Sequence, residues 1–214
     1  YSYRNMGELD ITIGIPTANN EDSIKQTLNS LINQSRKPDR IIIVDDSTDS
    51  TPRIIDRIDH SVDIRIDLYK QSNEGHGVGG ARQDIYEFFY GDILVCIDTD
   101  NKVSETWLEE HANFHKRNPE FGILSNTSPA STSRVISNPR TSDYFGQSNC
   151  SLKKSALEKV DGWDRAFARG EDWDMRIRLW CAGVRSYAKS DINKGREWIG
   201  TEGKGNFIEK TKLW

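Results

Sequence analysis

The chain has 214 residues, enough for one substantial hydrophobic core, and its 29 basic and 33 acidic side chains give a net charge of −4. This charge offers no electrostatic reason to bind a polyanion, so nucleic acid is not an expected partner. Three widely spaced cysteines, Cys96, Cys150 and Cys181, favour a reducing, cytoplasmic environment over a disulfide framework. No apolar segment reaches the roughly 18 residues that span a bilayer.

The first part of the sequence predicts a repeated strand and helix pattern. Residues 11–15 alternate isoleucine with small residues and run into Pro16, which predicts a strand that ends in a turn. Residues 41–44 are a continuous apolar run typical of a buried strand, and two carboxylates follow it. A helix is expected after each strand, since apolar side chains recur there at helical spacing and Thr51 and Pro52 are typical of a helix start. Residues 62–68 alternate apolar and charged side chains, which predicts a strand near the sheet edge with one solvated face.

A second pattern combines a glycine-rich turn, residues 73–80, with a helix expected over 81–90 and an apolar run over 93–97. Five consecutive apolar residues are typical of a central strand buried on both faces. Asp98 and Asp100 follow directly, at the sheet edge where ligands bind in open α/β folds. Two adjacent carboxylates repel each other, and Mg²⁺ or Mn²⁺ that takes its remaining ligands from water and phosphate would relieve that repulsion.

The second half of the sequence is less regular. It predicts a helix from residue 104 to before Pro119, a long loop over 125–140, a strand over 145–150 and a short helix over 155–160. A last helix opens at residues 170–174, and its apolar side chains at helical spacing are Trp173, Ile177, Trp180, Cys181 and Val184. The tryptophans are expected in the core, and His111 and His115 on a helix surface. The serial β-α steps indicate a doubly wound parallel sheet.

Other interpretations of these motifs stay open from the residues alone. Residues 75–80 satisfy G-x-G-x-x-G, the fingerprint of dinucleotide binding, although residues 70–74 separate them from the preceding strand. Asp98 could also be the nucleophile of a haloacid-dehalogenase-type phosphatase, although Lys102 stands at the fifth position of that motif. Glu171 and Asp172 begin a helix, where acidic side chains stabilise the helix dipole without any catalytic role.

Taken together, five segments in order resemble the family 2 glycosyltransferases, which have a GT-A fold. Their sequences are similar to that family's I-P-T-x-N, V-D-D-x-S-x-D-x-T, N-x-G-x-x-x-A-R-N and D-x-D motifs, and to its G-G-F-D-E and G-E-D-x-D-L-x-x-R-L pattern. The segments are residues 13–21, 42–51, 73–83, 98–100 and 161–179.

The resemblance implies one GT-A domain over residues 1–214, with a Rossmann-like, mostly parallel sheet flanked by helices. Residues 1–101 would form the nucleotide-binding part and residues 102–214 the acceptor-side part. The implied reaction is an inverting, metal-dependent transfer of a sugar from a nucleoside-diphosphate sugar to a hydroxyl group. Uridine is the expected base, and a glycan, a lipid-linked glycan or another hydroxyl compound the expected acceptor. The protein would be cytoplasmic, with peripheral association at the membrane also allowed.

The resemblance also assigns roles to individual residues. Asp172 would be the catalytic base that takes the acceptor proton, since an aspartate carboxylate is ordinarily ionised at neutral pH. Glu171 would orient the acceptor or this catalytic base. Asp100, assisted by Asp98, would hold Mn²⁺ or Mg²⁺ on the diphosphate. The residues implied in nucleotide binding are Pro16, Thr17, Asn19, Asp45, Asp46, Gly80, Arg82 and Asp98.

Two departures from the family pattern bear on activity. Ala18 stands where the family often stacks an aromatic side chain on the base, and no histidine follows His115 to serve as a further metal ligand. A catalytically silent module that binds a nucleotide sugar or a glycan is therefore an alternative to the enzyme. The Q-x-x-R-W pattern of processive polysaccharide synthases is absent from the sequence, which favours transfer of one sugar per encounter.

Overall fold

A computed structural model describes residues 8–72, 77–126, 133–137, 147–190, 192 and 197–199. The elements of its first half are β1 Ile11–Thr17, α1 Ile24–Ile32, β2 Arg40–Asp45, α2 Thr51–Asp59, β3 Ile66–Lys70, α3 Gly77–Phe88 and β4 Ile93–Ile97. Those of the second half are β5 Asn101–Lys102, α4 Trp107–Arg117, β6 Ile123–Asn126, β7 Arg134–Val135, β8 Asn149–Lys153, α5 Lys154–Leu157, α6 Glu171–Cys181, β9 Ser186–Lys189 and β10 Glu197–Trp198.

The described strands form one eight-stranded sheet in the order β3-β2-β1-β4-β8-β6-β9-β7, beside a separate pair of β5 and β10. Strands β3, β2, β1 and β4 are parallel, as the β-α repeats predict. Beyond β4 the sheet is mixed, because β8 runs antiparallel to both β4 and β6. The predicted α/β class with a mostly parallel sheet is therefore confirmed.

Both faces of the sheet are buried, which explains the continuous apolar runs. Side chains at alternate positions of β1, β2 and β4 pack on one face against α1, α2 and α4. The other positions pack against α3 and α6. Gly14 lies on this second face, and a Cβ there would come within 2.7 Å of Ile85, so the glycine lets α3 approach β1 closely.

Several predicted boundaries are wrong by a few residues. The edge strand is residues 66–70 rather than 62–68, since Val62 and Ile64 pack partly buried against the core from the connection before it. Helix α3 starts at Gly77 instead of residue 81 and ends at Phe88. The expected loop over 125–140 contains the end of β6 and the short strand β7, and its other residues lie outside the described part. Helix α4 begins at Trp107, β8 at Asn149, and α5 covers only Lys154–Leu157.

The exposed face of α6 also contradicts the sequence prediction. Trp173, Ile177 and Trp180 are 54%, 44% and 51% exposed, whereas Met175 and Leu179 are buried. Apolar side chains at helical spacing occur on two faces of this helix. The face that packs on the sheet is the one with Met175 and Leu179. Trp163 is buried, as expected. Within the residues that the structure describes, no helix has the length and apolarity to cross a membrane.

His111 and His115 lie in the core, so their predicted place on a helix surface is wrong. They continue the buried stripe of Trp107 along α4, and each imidazole is 2.8 Å from the Oγ of Ser151 on β8. Burial is the main cause that lowers the pKa of His111 to about 3 and that of His115 to about 4. Both side chains are therefore neutral in the folded protein at neutral pH.

We expect acid to destabilise the fold through these two histidines. In the unfolded chain a histidine binds its proton near pH 6.5, whereas the folded chain binds it only near pH 3 to 4. The free energy of unfolding is then undiminished above pH 6.5 and falls below it, by up to about 1.4 kcal/mol per pH unit for each histidine. Urea unfolding between pH 7.5 and 4.5 measures this slope. His115→Gln should make the slope shallower, and His60→Gln, at an exposed site, should not. Equal slopes in the unmodified chain and both variants would contradict the role of His115.

Candidate functional site

A cleft of about 320 Å³ opens at the carboxyl ends of the parallel strands. Ala18, Asn20, Val78 and Thr99 contribute to its lining. The structure also brings together here six residues that the sequence predicts for the site, namely Pro16, Asn19, Arg82, Asp98, Asp100 and Glu171. The cleft therefore joins the strand ends of the first half of the chain to the start of α6.

The other predicted site residues do not line the cleft; they are Thr17, Asp45, Asp46, Gly80 and Asp172. Thr17 and Asp45 are register partners at the ends of β1 and β2, and both are buried. Burial raises the pKa of Asp45, while a 2.5 Å hydrogen bond from Ser47 opposes that rise. Asp46 is exposed, and Gly80 is buried inside α3.

Arg82 connects the two halves of the cleft. Its guanidinium lies 3.0 Å from Asp98 Oδ1 and 3.1 Å from Glu171 Oε1, and it also donates to Gln147 Oε1. Burial alone would lower the pKa of Arg82, but the two carboxylates outweigh burial and hold the pKa above its ordinary value. The sequence implied that Arg82 faces the nucleotide; the structure shows its charge shared between the D-x-D motif and α6.

Glu171 and Asp172 occupy different environments in the first turn of α6. Glu171 is 7% exposed, and burial raises its pKa although Arg82 acts in the opposite direction. Asp172 is half-buried, and its Oδ1 accepts the backbone N–H of Trp173 at 2.9 Å. The buried glutamate suits a positioning role, and the more open aspartate has the solvent access that a proton acceptor needs.

Asn20 is a site residue that sequence reasoning missed, since its position next to a helix suggested only a capping role. Its Oδ1 accepts hydrogen bonds from Thr17 Oγ1 at 3.2 Å, from the Ala18 N–H at 3.3 Å and from Thr99 Oγ1 at 2.7 Å. Thr99 is the middle residue of the D-x-D motif, and its carbonyl accepts a further bond from Thr27. Asn20 thus fixes the D-x-D motif relative to the end of β1.

Asn19 has a structural role in addition to its predicted place in the nucleoside pocket. Its φ of 52° places it in the left-handed region that asparagine tolerates. Its Oδ1 accepts the backbone N–H groups of Thr48 at 2.9 Å and Asp49 at 3.3 Å. Asn19 therefore ties the loop after β1 to the loop after β2, while it still lines the cleft.

A downstream segment that the sequence left unplaced reaches the D-x-D motif. Strand β10 pairs antiparallel with β5, directly after Asp100. The Ile199 N–H donates to the Asp100 carbonyl at 2.8 Å. Residues 197–199 thus contact the backbone at the end of the motif. Asp191 and Asn193, whose side-chain oxygens could replace the missing histidine ligand, lie outside the described residues.

The donor set of the cleft fits a hard divalent cation that is bound together with its ligand. Asp98 and Asp100 provide two half-buried carboxylates on one cleft, which is the sparse protein contribution typical of Mg²⁺ or Mn²⁺ on a diphosphate. Across the described part of the chain, no cluster of three or more His, Cys, Asp or Glu side chains could enclose a metal by itself. Such a cation would take its other ligands from phosphate and water.

The glycines before Arg82 are explained by packing. A Cβ on Gly77 would lie 2.6 Å from the Ala168 carbonyl oxygen, and one on Gly79 would lie 2.1 Å from that of Phe167. Residues 73–76 of the predicted phosphate-binding turn are outside the described part. Gly77 and Gly79 thus let the start of α3 contact the loop that leads into α6, and this contact brings Arg82 to Glu171.

We expect Gly79→Ala to destabilise the protein by about 3 kcal/mol, in the upper range for overpacking, because backbone atoms must move to admit the methyl group. The same shift should lower activity, since Arg82 lies one turn further along α3. Thermal unfolding checks the prediction. Gly183→Asn is the control, because Gly183 has a left-handed φ that asparagine tolerates and nothing within 4 Å of its Cβ position. Equal unfolding temperatures for Gly79→Ala and the unmodified chain would contradict it.

Comparison with known proteins gives a family match over much of the chain. The sequence model described as glycosyl transferase family 2 matches residues 12–167. The chain is 33% identical over 113 residues to the poly(ribitol-phosphate) beta-glucosyltransferase of Bacillus spizizenii, an alignment that covers 51% of this chain and 18% of that protein. The chain thus spans less than a fifth of the length of this relative.

Solved structures show the same fold at low sequence identity. TarS 1-349 of S. aureus in complex with UDP-GlcNAc matches with a TM-score of 0.76 and 18% identity, over 94% of this chain and 61% of that one. The mannosyltransferase PcManGT of Pyrobaculum calidifontis in complex with GDP-Man and Mn²⁺ matches with a TM-score of 0.71 and 22% identity, over 86% and 56%. The fold expected from the sequence, GT-A, is confirmed by these neighbours.

Proposed function

Because the chain belongs to glycosyl transferase family 2, we propose that it transfers a sugar from a uridine-diphosphate sugar to a carbohydrate hydroxyl, with inversion and with a divalent cation. The observation that carries the proposal is the cleft in which Arg82 joins Asp98 of the D-x-D motif to Glu171 of α6. Asp98 and Glu171, which lie far apart in the sequence, thus contact the same arginine in the cleft, and this contact supports a site shared by donor and acceptor.

The choice of donor rests on two supports. The neighbouring structure of TarS contains UDP-GlcNAc. In this chain the buried Asp45 ends β2 and the exposed Asp46 follows it, and either carboxylate could accept the N3–H of uracil. The expected cytoplasmic location and peripheral membrane association stay predictions, as does the class of acceptor.

The proposed reaction is a single displacement. Asp172 accepts the proton of the acceptor hydroxyl while the oxygen of that hydroxyl attacks the anomeric carbon from the face opposite the diphosphate. The bond from that carbon to the diphosphate oxygen breaks, and the nucleoside diphosphate leaves with the electron pair. A divalent cation at Asp98 and Asp100 would neutralise the charge that develops on this leaving group.

The remaining residues position these groups. Glu171, fixed by Arg82, would orient the acceptor or Asp172. Pro16 and Asn19 line the cleft where the nucleoside would enter. Asn20 holds the side chain of Thr99 and the Ile199 N–H holds the carbonyl of Asp100, so the carboxylates of the D-x-D motif would need little reorganisation when the donor binds.

The test is turnover of a panel of nucleotide sugars with Mn²⁺, with and without a chelator, using mono- and disaccharide acceptors. We expect the chelator to abolish release of nucleoside diphosphate and Asp100→Asn to reduce it strongly. Asp56→Asn, at an exposed position on α2 outside the cleft, should have no effect. Activity that is indifferent to both chelation and Asp100→Asn would remove the metal from the proposal.

The catalytically silent module remains the second candidate, because Ala18 lines the cleft where the family often places an aromatic side chain. Calorimetry that shows saturable binding of a nucleotide sugar, without turnover of any donor and acceptor pair, would favour it.

The nicotinamide and phosphatase interpretations are superseded by the family match. Gly77 to Gly80 also lie inside α3, which follows the edge strand β3 rather than the first strand.

A further inference from the structure

Trp173 has an unusual environment for an exposed tryptophan. Its side chain is 54% exposed, and it directly follows Asp172 in the first turn of α6. The guanidinium of Arg176 lies 5.2 Å from the centre of its ring, in cation-π contact. Arg176 is itself only 7% exposed. One face of the indole is thus held by a buried cation, while more than half of the side chain is open to solvent.

The same arginine connects the ring to the proposed proton acceptor. Arg176 is one helical turn from both Asp172 and Trp173, so it lies between them on the helix surface. Burial lowers the pKa of Arg176, and the negative charge of Asp172 acts against that lowering. Arg176 occupies an unspecified position of the family pattern, whereas the motif arginine, Arg178, binds Asp174 and the carbonyl of Gly162.

We propose that Trp173 is a stacking platform for a pyranose ring of the acceptor, and that it presents the acceptor hydroxyl to Asp172. This inference rests on the proposed function and specifies its acceptor as a cyclic sugar. A pyranose has an apolar face of C–H groups that packs on an indole, and an indole held in place loses little conformational freedom when it binds.

The local charges favour a sugar ring over an acyclic polyol phosphate. A phosphate group needs an accessible cation, but the nearby guanidinium of Arg176 is buried under the indole and next to Asp172. Arg169 is an exposed cation but precedes the helix, whereas the exposed side chain that directly follows Asp172 is the indole. Trp180 is similarly exposed on the same helix at 51%, but it is about two turns away from Asp172 and provides a matched control.

Saturation-transfer NMR on the whole chain, with UDP and Mn²⁺ present, tests the platform with two probes, methyl β-D-glucopyranoside and ribitol 5-phosphate. We expect transfer to the ring protons of the pyranoside, reduced at least fivefold in Trp173→Ala and largely kept in Trp173→Phe and Trp180→Ala. Calorimetry should show UDP binding within twofold of the unmodified chain in all variants. Thermal unfolding confirms that each variant is folded.

Three results would overturn the inference: an unchanged pyranoside signal in Trp173→Ala, an equal loss in Trp180→Ala, or stronger transfer to ribitol 5-phosphate than to the pyranoside. The inference would also be overturned if sedimentation showed a dimer of the unmodified chain and monomers of both alanine variants. Trp173 and Trp180 would then form a contact between two copies of the chain. The failure of the enzyme proposal is seen separately, as an absence of UDP binding and turnover in the unmodified chain.

Discussion

Replacing Asp172 with asparagine is expected to lower sugar transfer about 10²- to 10⁴-fold, the contribution typical of a positioned general base. The amide has nearly the same shape as the carboxylate but cannot take the acceptor proton. Because Asp172 does not line the cleft, nucleotide binding should change less than twofold. Turnover of the nucleotide sugar and calorimetry with the nucleoside diphosphate measure these two effects separately.

Asp174→Asn is the matched control for this variant. Asp174 lies in the same helical turn, but its carboxylate binds Arg178 at 2.7 Å, and Arg178 in turn donates to the carbonyls of Val160 and Gly162. Asp174→Asn should lower the free energy of unfolding but have little effect on the rate of sugar transfer. If Asp172→Asn kept more than a tenth of the activity, Asp172 would not be the base. If it lost nucleotide binding as well, its role would be structural.

Replacing Arg82 with methionine is expected to lower both stability and activity. The change leaves Asp98 and Glu171 without their shared cation, and breaking a buried ion pair costs about 3–5 kcal/mol. The side chain of Asp98 is 39% exposed and is therefore screened by solvent, so we expect a loss near the lower end, about 3 kcal/mol. Urea unfolding and turnover measure the two effects.

The loss should depend on pH. Burial raises the pKa of Glu171, and Arg82 is the main group that opposes this rise. Without Arg82 the carboxyl group binds its proton at a higher pH, so the deficit in stability should be largest in alkaline solution and should shrink as the pH falls. In acid, the variant has fewer ionised carboxylates that need a partner.

A double-mutant cycle separates this charge effect from lost packing. Combining Arg82→Met with Glu171→Gln removes the uncompensated charge, and it should recover part of the stability lost in the single variant. The stability of Arg82→Lys should lie between that of the unmodified chain and that of Arg82→Met. A single ammonium group keeps the charge but cannot reproduce the forked contacts to Asp98, Glu171 and Gln147. Strict additivity in the cycle would show that Arg82 and Glu171 do not interact.

Much of the nucleotide-binding half could be predicted from the sequence. The strands predicted over residues 11–15, 41–44 and 93–97 lie within or coincide with β1, β2 and β4, because the middle of a strand buried on both faces has few charged side chains. The second half was harder to predict. Strand β8 combines Asn149 and Ser151 with apolar residues, and these polar side chains are buried because Trp107 and the histidines of α4 hydrogen-bond to them.

The site could be predicted in its components but not in its connections. The sequence supplied Asp98, Asp100, Glu171 and Arg82, and it missed Asn20 and Gln147. A residue that serves by accepting several hydrogen bonds has no spacing pattern of its own. Asparagine beside a helix start is common for local reasons, so nothing near Asn20 in the sequence indicated its bond to Thr99.

The sequence by itself determined the family, the class of fold and the acidic residues at the end of β4, because short-range periodicity and contiguous motifs record these properties. Only the tertiary structure decided which face of α6 is buried, that His111 and His115 lie in the core, and that Arg82 is shared between Asp98 and Glu171. These outcomes depend on contacts between residues far apart along the chain. The energies of such contacts come from burial and charge pairing in three dimensions, which local patterns do not encode.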